Sequence, residues 1–91
     1  MRRKKLKSVD YSEKFLKSLK KLPKRVIKKA EIREKIFREN PFDPRLGTHK
    51  LLGRYKDCWA FAIDYTYRIK FIFIDGDEVL FLDIGTHDIY K

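Results

Sequence analysis

The side chains best suited to acid–base chemistry near neutral pH are the two histidines, His49 and His87. An imidazole has an unperturbed pKa of about 6.5, so it can take or give a proton at physiological pH. Two isolated histidines make an incomplete zinc site, because the missing carboxylate ligands have no recognisable spacing in this sequence. The sequence therefore favours acid–base chemistry without a metal, and it predicts no cofactor.

Arg68 and Tyr90 are suited to a site of this kind that acts on a phosphodiester. Cleavage of RNA without metal needs a base for the 2′-hydroxyl, a cation for the charged phosphorane and an acid for the leaving 5′-oxygen. Arg68 offers a permanently charged, planar set of donors, and Tyr90 can stack on a base or assist proton transfer. Simpler interpretations remain open: His87 as a polar terminal residue, and Arg68 as a solvent-facing residue or a cross-strand partner of Asp64 or Asp83.

The positive charge of the chain is concentrated in its first 40 residues. They hold 16 of the 23 Lys and Arg residues and 5 of the 13 Asp and Glu residues, a net charge of +11, whereas residues 41–91 have a net charge of −1. Such an asymmetry favours a polyanionic partner such as nucleic acid. The alternative is a solvated, lysine-rich helix surface.

Length and composition favour one small globular domain over residues 1–91. Hydrophobic residues make up 43% of the 91 residues, which is typical of a folded chain with its own core. The single cysteine excludes an intramolecular disulfide. No apolar run is long enough to span a membrane, and no apolar stretch of a signal peptide follows the basic N-terminus, so we expect a soluble, cytoplasmic protein.

Apolar residues at helical spacing predict two helices in the first half of the chain. Ser12 is a good N-cap for the first, and Pro23 ends it and suits the first turn of the next. The second helix is predicted to end before Asn40, which precedes a proline. Because the basic residues fall between the apolar positions, the helices form a hairpin with a basic outer face.

The second half of the chain has the periodicity of β-strands. Residues 40–56 are expected to be irregular, and apolar residues then alternate from residue 58 onward, with the aromatic side chains, Tyr65 included, expected in the core. A hairpin turn is predicted at residues 75–77, before an apolar strand over residues 79–84. With a short first strand at residues 5–10, the order is β-α-α-β-β-β. This predicts an α+β fold, a helical hairpin on one face of a twisted, mainly antiparallel four-stranded sheet.

Four segments of the chain together match a known pattern. They are FLKSLKKLP (residues 15–23), HKLLG (49–53), YRI (67–69) and GTHDIY (85–90). In this order the chain resembles the RelE/ParE superfamily of type II toxin–antitoxin toxins, and its terminal segment is similar to that of the RelE/YafQ-like branch. The resemblance implies a RelE-like fold and an endoribonuclease that cuts mRNA in the ribosomal A site without metal. It also implies a cognate acidic antitoxin as partner, with the toxin a monomer or part of a toxin–antitoxin heterocomplex.

The resemblance also assigns roles to individual residues. His87 matches the C-terminal catalytic histidine, Arg68 matches the phosphate-contacting arginine, and Tyr90 lies close to the terminal aromatic residue beside the mRNA base. His49 falls where YafQ-like toxins carry an additional active-site histidine. The residues expected to bind RNA are Lys50, Arg54 and Lys56 at the rim of the site, and Arg2, Arg3 and Lys4 in the N-terminal region facing ribosomal RNA.

The chain departs from the YafQ-like pattern in the middle of the sheet. It has no histidine there, and Asp64 matches the family's aspartate only with a shifted register. In the stretch that enters the first central strand, residues 55–61, Lys56 is the only basic residue. Two alternatives therefore remain open: a ParE-like toxin that inhibits DNA gyrase, and a catalytically degenerate member that binds RNA or antitoxin.

Overall fold

The computed structural model describes residues 5–53 and 57–90. It has the α+β organisation that the sequence predicts, with two helices packed on a mixed sheet. The sheet has five strands, so the prediction of four was wrong by one. The elements are β1 (Ser8–Tyr11), α1 (Glu13–Lys20), α2 (Lys24–Glu39), β2 (His49–Lys50), β3 (Trp59–Ala62), β4 (Arg68–Asp75) and β5 (Glu78–Gly85), with 3₁₀ helices at Pro44–Leu46 and His87–Tyr90.

Both helices begin and end where the local sequence signals predict. The Ser12 hydroxyl accepts a hydrogen bond from the backbone N–H of Phe15 at 3.0 Å, which caps α1. The same hydroxyl donates to the carbonyl of Leu82 at 2.9 Å and so joins the start of α1 to β5. Helix α2 begins directly after Pro23 and ends at Glu39, directly before Asn40. The N-cap is therefore a tertiary contact as well as a local one.

The strands lie in the order β1-β5-β4-β3-β2. Strand β1 is parallel to β5, and the other neighbours are antiparallel. The extra strand is β2, in which His49 pairs with Ala60 and Lys50 pairs with Trp59. It lies within the segment predicted to be irregular, because two residues are too few to produce a visible alternation. Its extended conformation depends on its pairing with β3.

Phe37 of α2 is the centre of an aromatic core. Its side chain is fully buried, and its ring centroid lies 4.4 Å from that of Phe61, 4.9 Å from that of Phe71 and 5.5 Å from that of Phe81. These partners lie on β3, β4 and β5, so one side chain of the helix contacts the three central strands. Such ring pairs stabilise a core beyond the area they bury.

Tyr65 does not belong to this core, contrary to the prediction from the alternating pattern. Its side chain is 96% exposed. Strand β3 ends at Ala62, and the Asp64 carboxylate accepts hydrogen bonds from the backbone N–H groups of Thr66 and Tyr67. These bonds turn the chain before Tyr65 can continue the strand, which leaves its ring at the tip of the turn.

Replacing Phe37 should therefore be far more damaging than replacing an apolar residue on the outer side of the same helix. We expect Phe37→Ala to lower the free energy of unfolding by about 3–5 kcal/mol, because it leaves a cavity among three aromatic rings. Ile32→Ala is the matched control, since Ile32 is 60% exposed and should change the stability by less than about 0.5 kcal/mol. Urea unfolding of both variants followed by circular dichroism measures the difference. Equal losses would contradict this account of the core.

Candidate active site

Strand β4 places Arg68 on the sheet face away from the helices. Ile69 and Phe71 are buried in the helix-packed core. Because successive side chains of a strand point to opposite faces, Arg68 and Lys70 lie on the other face. Both side chains are half-buried. One strand therefore contributes two cations, two residues apart, to a single surface.

The pairing of the strands adds His49 to this face. His49 of β2 pairs with Ala60 of β3, which in turn pairs with Lys70 of β4. Directly paired residues point to the same face of an antiparallel sheet, so His49 and Lys70 flank the small side chain of Ala60. Arg68 is likewise paired with an alanine, Ala62. Ala60 is fully buried, so the larger side chains around it cover this part of the sheet.

The 3₁₀ helix His87–Tyr90, which we call the C-terminal turn, packs back on the end of the sheet. The ammonium of Lys70 donates to the carbonyl of Ile89 at 3.0 Å. Gly85 lies so close to the turn that a Cβ at this position would be 2.8 Å from Cγ2 of Ile89. The missing side chain at Gly85 is therefore what lets Ile89 approach the strand. The turn brings His87 and Tyr90 to the face that carries Arg68.

Tyr90 is the residue around which the candidate catalytic side chains meet. Its ring packs edge-on against that of His87, with centroids 5.7 Å apart. It also lines a surface cleft of about 320 Å³ together with His49 and Lys50. Its hydroxyl is buried and lies beside the guanidinium of Arg68. Burial raises the pKa of Tyr90, and the positive charge of Arg68 only partly opposes that rise.

The guanidinium of Arg68 is oriented by backbone oxygens. Its Nη1 donates to the carbonyl of Asp64 at 2.6 Å and to that of Tyr67 at 3.2 Å. The two carboxylates suggested as its cross-strand partners are engaged elsewhere. The carboxylate of Asp83 accepts from the Ser18 hydroxyl at 2.6 Å, and that of Asp64 belongs to the β3–β4 turn. The cross-strand neighbours of Arg68 are Ala62 and Gly85, so the interpretation of Arg68 as a cross-strand partner of either aspartate was wrong.

The Asp64 carboxylate closes the turn that orients Arg68. Its Oδ1 accepts from the N–H of Tyr67 at 2.7 Å and from that of Thr66 at 2.9 Å, and Oδ2 lies 3.3 Å from the ammonium of Lys29. Burial by itself raises the pKa of Asp64, but the two backbone hydrogen bonds and Lys29 outweigh it and bring the pKa below its ordinary value. The carboxylate is thus used to hold the loop.

The structure groups the four residues predicted to be catalytic, and it places one of the six predicted RNA-binding residues. Lys50 is exposed on β2 at the cleft. The predictions for Arg2, Arg3, Lys4, Arg54 and Lys56 lie outside the described residues. Within residues 5–53 and 57–90 no three His, Cys, Asp or Glu side chains come together as a metal site. No helix in these ranges is long and apolar enough to cross a membrane.

Comparison with known proteins identifies the fold. No family model and no curated protein sequence matches the chain. Among solved structures it is similar to the E. coli DinJ–YafQ toxin–antitoxin complex, at 18% identity over 98% of this chain and 97% of the other, with a TM-score of 0.71. It is also similar to the archaeal RelE–RelB complex from Pyrococcus horikoshii, at 18% identity over 87% and 92% of the two chains, with a TM-score of 0.69. A YoeB/ParE toxin from Agrobacterium tumefaciens aligns at 13% identity over 88% and 98%, with a TM-score of 0.74.

The chain has the fold of the RelE/ParE superfamily toxins. The resemblance of the sequence segments is thereby confirmed at the level of the fold. Within this RelE-like fold, Lys70 is the site residue that the sequence reasoning missed. The alternation of β4 contained the signal, because a residue two positions after Arg68 shares its face.

The role of Asp64 leads to a pH-dependent prediction. A carboxyl group whose pKa is lowered by folding contributes stability above its unfolded pKa of about 3.9, and this contribution is lost as the pH falls through the folded pKa. We expect Asp64→Ala to lower the free energy of unfolding at pH 7 by about 1–2 kcal/mol, because two backbone N–H groups lose their acceptor. The difference from the unmodified protein should shrink below about pH 4.

Asp64→Asn is the matched control, since it keeps an acceptor oxygen but loses the charge beside Lys29. It should cost less than Asp64→Ala at pH 7. Denaturant unfolding of the three proteins between pH 3 and pH 7 measures both effects. A loss for Asp64→Ala that stays constant over this range would show that the ionised carboxylate does not support the turn.

Proposed function

We propose that this protein is the toxin of a type II toxin–antitoxin system and that it cuts mRNA on the ribosome, in the cytoplasm. The observation that carries the proposal is the grouping of His87, Arg68 and His49 around Tyr90 on one open face of the sheet. Two imidazoles and a guanidinium are the groups that metal-free cleavage of a phosphodiester requires. The similarity of the fold to proteins solved in toxin–antitoxin complexes supports the toxin part of the proposal, and the resemblance of the sequence segments supports RNA cleavage.

The two histidines supply the proton transfers. Both are exposed, so both are open to a bound RNA strand. One imidazole removes the proton of the 2′-hydroxyl, whose oxygen attacks the phosphorus, and the other protonates the leaving 5′-oxygen. The products are a 2′,3′-cyclic phosphate and a free 5′-hydroxyl. Arg68, held by the turn carbonyls, stabilises the extra negative charge of the phosphorane.

Tyr90 contributes through packing contacts and takes no part in proton transfer. Its ring packs against His87 and limits the orientations of that imidazole. A tyrosine hydroxyl is neutral at physiological pH and burial raises the pKa of Tyr90 further, so Tyr90 adds no negative charge beside the phosphate. Its position in the cleft shared with His49 also places an aromatic surface where an mRNA base can pack.

The helices bind ribosomal RNA on the side of the molecule opposite the candidate active site. Their outer side carries a dense set of exposed cations: Lys17, Lys20, Lys21, Lys24, Arg25 and Lys28. Contacts of such residues with phosphates release counterions, so binding weakens steeply as the salt concentration rises. This arrangement assigns affinity for the ribosome to the helices and cleavage to the opposite face of the sheet.

The decisive assay is primer extension on mRNA from a reconstituted translation system. We expect the unmodified protein to cut within codons only when ribosomes are present. His87→Ala should reduce the cleavage rate by about 10²–10⁴-fold, because a proton transfer in the transition state is lost. Asp75→Asn, at the exposed β4–β5 turn, is the control and should cut like the unmodified protein.

Intact mRNA in every lane would overturn the nuclease proposal. Inhibition of DNA gyrase, the ParE-like alternative, would then be measured by supercoiling of relaxed plasmid. Cleavage that persists in His87→Ala would instead support the nuclease and remove His87 from its mechanism. The two outcomes separate the activity from the residue assigned to it.

A small acidic antitoxin is the proposed protein partner. The net charge of +10 favours an acidic polypeptide, and the fold is shared with a toxin solved in the DinJ–YafQ toxin–antitoxin complex. Among the strands of residues 5–53 and 57–90, β1 is paired on one side only, with β5, and an edge strand of this kind can accept an added strand.

We expect the acidic product of a neighbouring gene to co-purify with this chain and to abolish mRNA cleavage at a 1:1 ratio. Size-exclusion chromatography and the primer-extension assay measure the two effects. A reversed-charge peptide of the same length is the control and should neither bind nor inhibit. Failure of every neighbouring acidic protein to bind would contradict the antitoxin proposal without bearing on cleavage.

A further inference from the structure

Lys70 is built into the middle of the sheet. It lies on β4, paired with Ala60 of β3 on one side and with Asp83 of β5 on the other, so its backbone has little freedom. Its half-buried side chain carries the ammonium to the carbonyl of Ile89, at 3.0 Å. A hydrogen bond from a charged donor is stronger than one between neutral groups, and more so where water is partly excluded.

The acceptor of this bond lies inside the C-terminal turn. Ile89 is between His87 and Tyr90, and its own N–H donates to the carbonyl of Thr86 at 3.1 Å, which closes the turn. A tether at the Ile89 carbonyl therefore restrains the residues on both sides. The second restraint is steric, since Ile89 packs against the bare Cα of Gly85.

We propose that Lys70 is the positioning residue of the candidate site, because its bond to Ile89 holds the C-terminal turn with His87 and Tyr90 beside Arg68. The predicted effect on catalysis rests on the proposed function. The hydrogen bond from Lys70 to Ile89 is independent of that function. Arg68 and Lys70 share one strand and one face. A single rigid strand thus sets both the position of the guanidinium and that of the turn that carries the imidazole.

The alternative role for Lys70 is direct binding of the RNA phosphate. The two roles predict different kinetics. If Lys70 tethers the turn, its removal lowers the maximal rate of cleavage, because fewer molecules hold His87 in the productive geometry. If Lys70 binds the phosphate, its removal raises the concentration of ribosome complex needed for half-maximal rate.

Hydrogen exchange tests the tether without reference to activity. Lys70→Met removes the ammonium and keeps the length of the side chain, and Lys70→Arg keeps a charged donor. Lys35→Met, on α2, removes one positive charge elsewhere and is the matched control. In Lys70→Met we expect the Ile89 amide to exchange about 10–100-fold faster, with amides of β4 and β5 unchanged. Lys70→Arg should restore most of the protection, and Lys35→Met should leave it intact.

A second variant disturbs the same turn by a steric change and leaves Lys70 in place. Gly85→Ala adds a Cβ that meets Ile89 and should also speed exchange of the Ile89 amide, although Lys70 is present. In the cleavage assay, Lys70→Met should lower the maximal rate about tenfold or more and change the half-saturating concentration less than about twofold. Lys70→Arg should recover most of the rate, because it keeps a charged donor for the Ile89 carbonyl.

Three results would overturn the proposal. They are unchanged exchange of the Ile89 amide in Lys70→Met, faster exchange with an unchanged maximal rate, and a raised half-saturating concentration with an unchanged maximal rate. If the unmodified protein cuts no RNA, the proposed function fails, and the exchange measurement still decides whether Lys70 holds the turn. The two failures are therefore distinguishable.

Discussion

The two faces of strand β4 are the constraint on which the rest of the molecule depends. Ile69 and Phe71 are buried in the core beneath the helices. Because side chains alternate along a strand, Arg68 and Lys70 must lie on the opposite face. A slip of one residue in the pairing of β4 would bury both cations and expose the core residues. The hydrophobic effect that stabilises the fold thus also determines which side chains are presented for chemistry.

The elements around β4 fix the positions of the polar side chains, which burial of the core alone does not determine. Asp64 closes the preceding turn and presents backbone carbonyls to Arg68. At the other side, Gly85 and Lys70 seat the C-terminal turn on the sheet. The result is a small cluster of polar groups on a rigid support, which suits a reaction whose substrate is held mainly by a larger partner.

Charge is divided between the two sides of the molecule. The helices carry an excess of cations, whereas the part of the chain that forms β2–β5 is close to neutral. A long-range field from one side attracts a polyanion and accelerates encounter. A few oriented cations on the other side act at short range, where geometry matters more than net charge. Binding and chemistry can therefore be altered by separate substitutions.

The sequence by itself determined the features that depend on neighbours along the chain. Both helices, with Ser12, Pro23 and Asn40 at their ends, and the turn before β5 follow from local capping and turn chemistry. The residue types at His49, Arg68, His87 and Tyr90 also identified the candidate chemistry. Only the tertiary structure decided that β2 exists, that Tyr65 leaves the core, that Arg68 bonds to carbonyls and that Lys70 reaches Ile89. These features depend on contacts between residues distant in sequence, or they oppose the pattern of the local sequence. The contacts stabilise the protein only when the strands are paired and the C-terminal turn is packed against them.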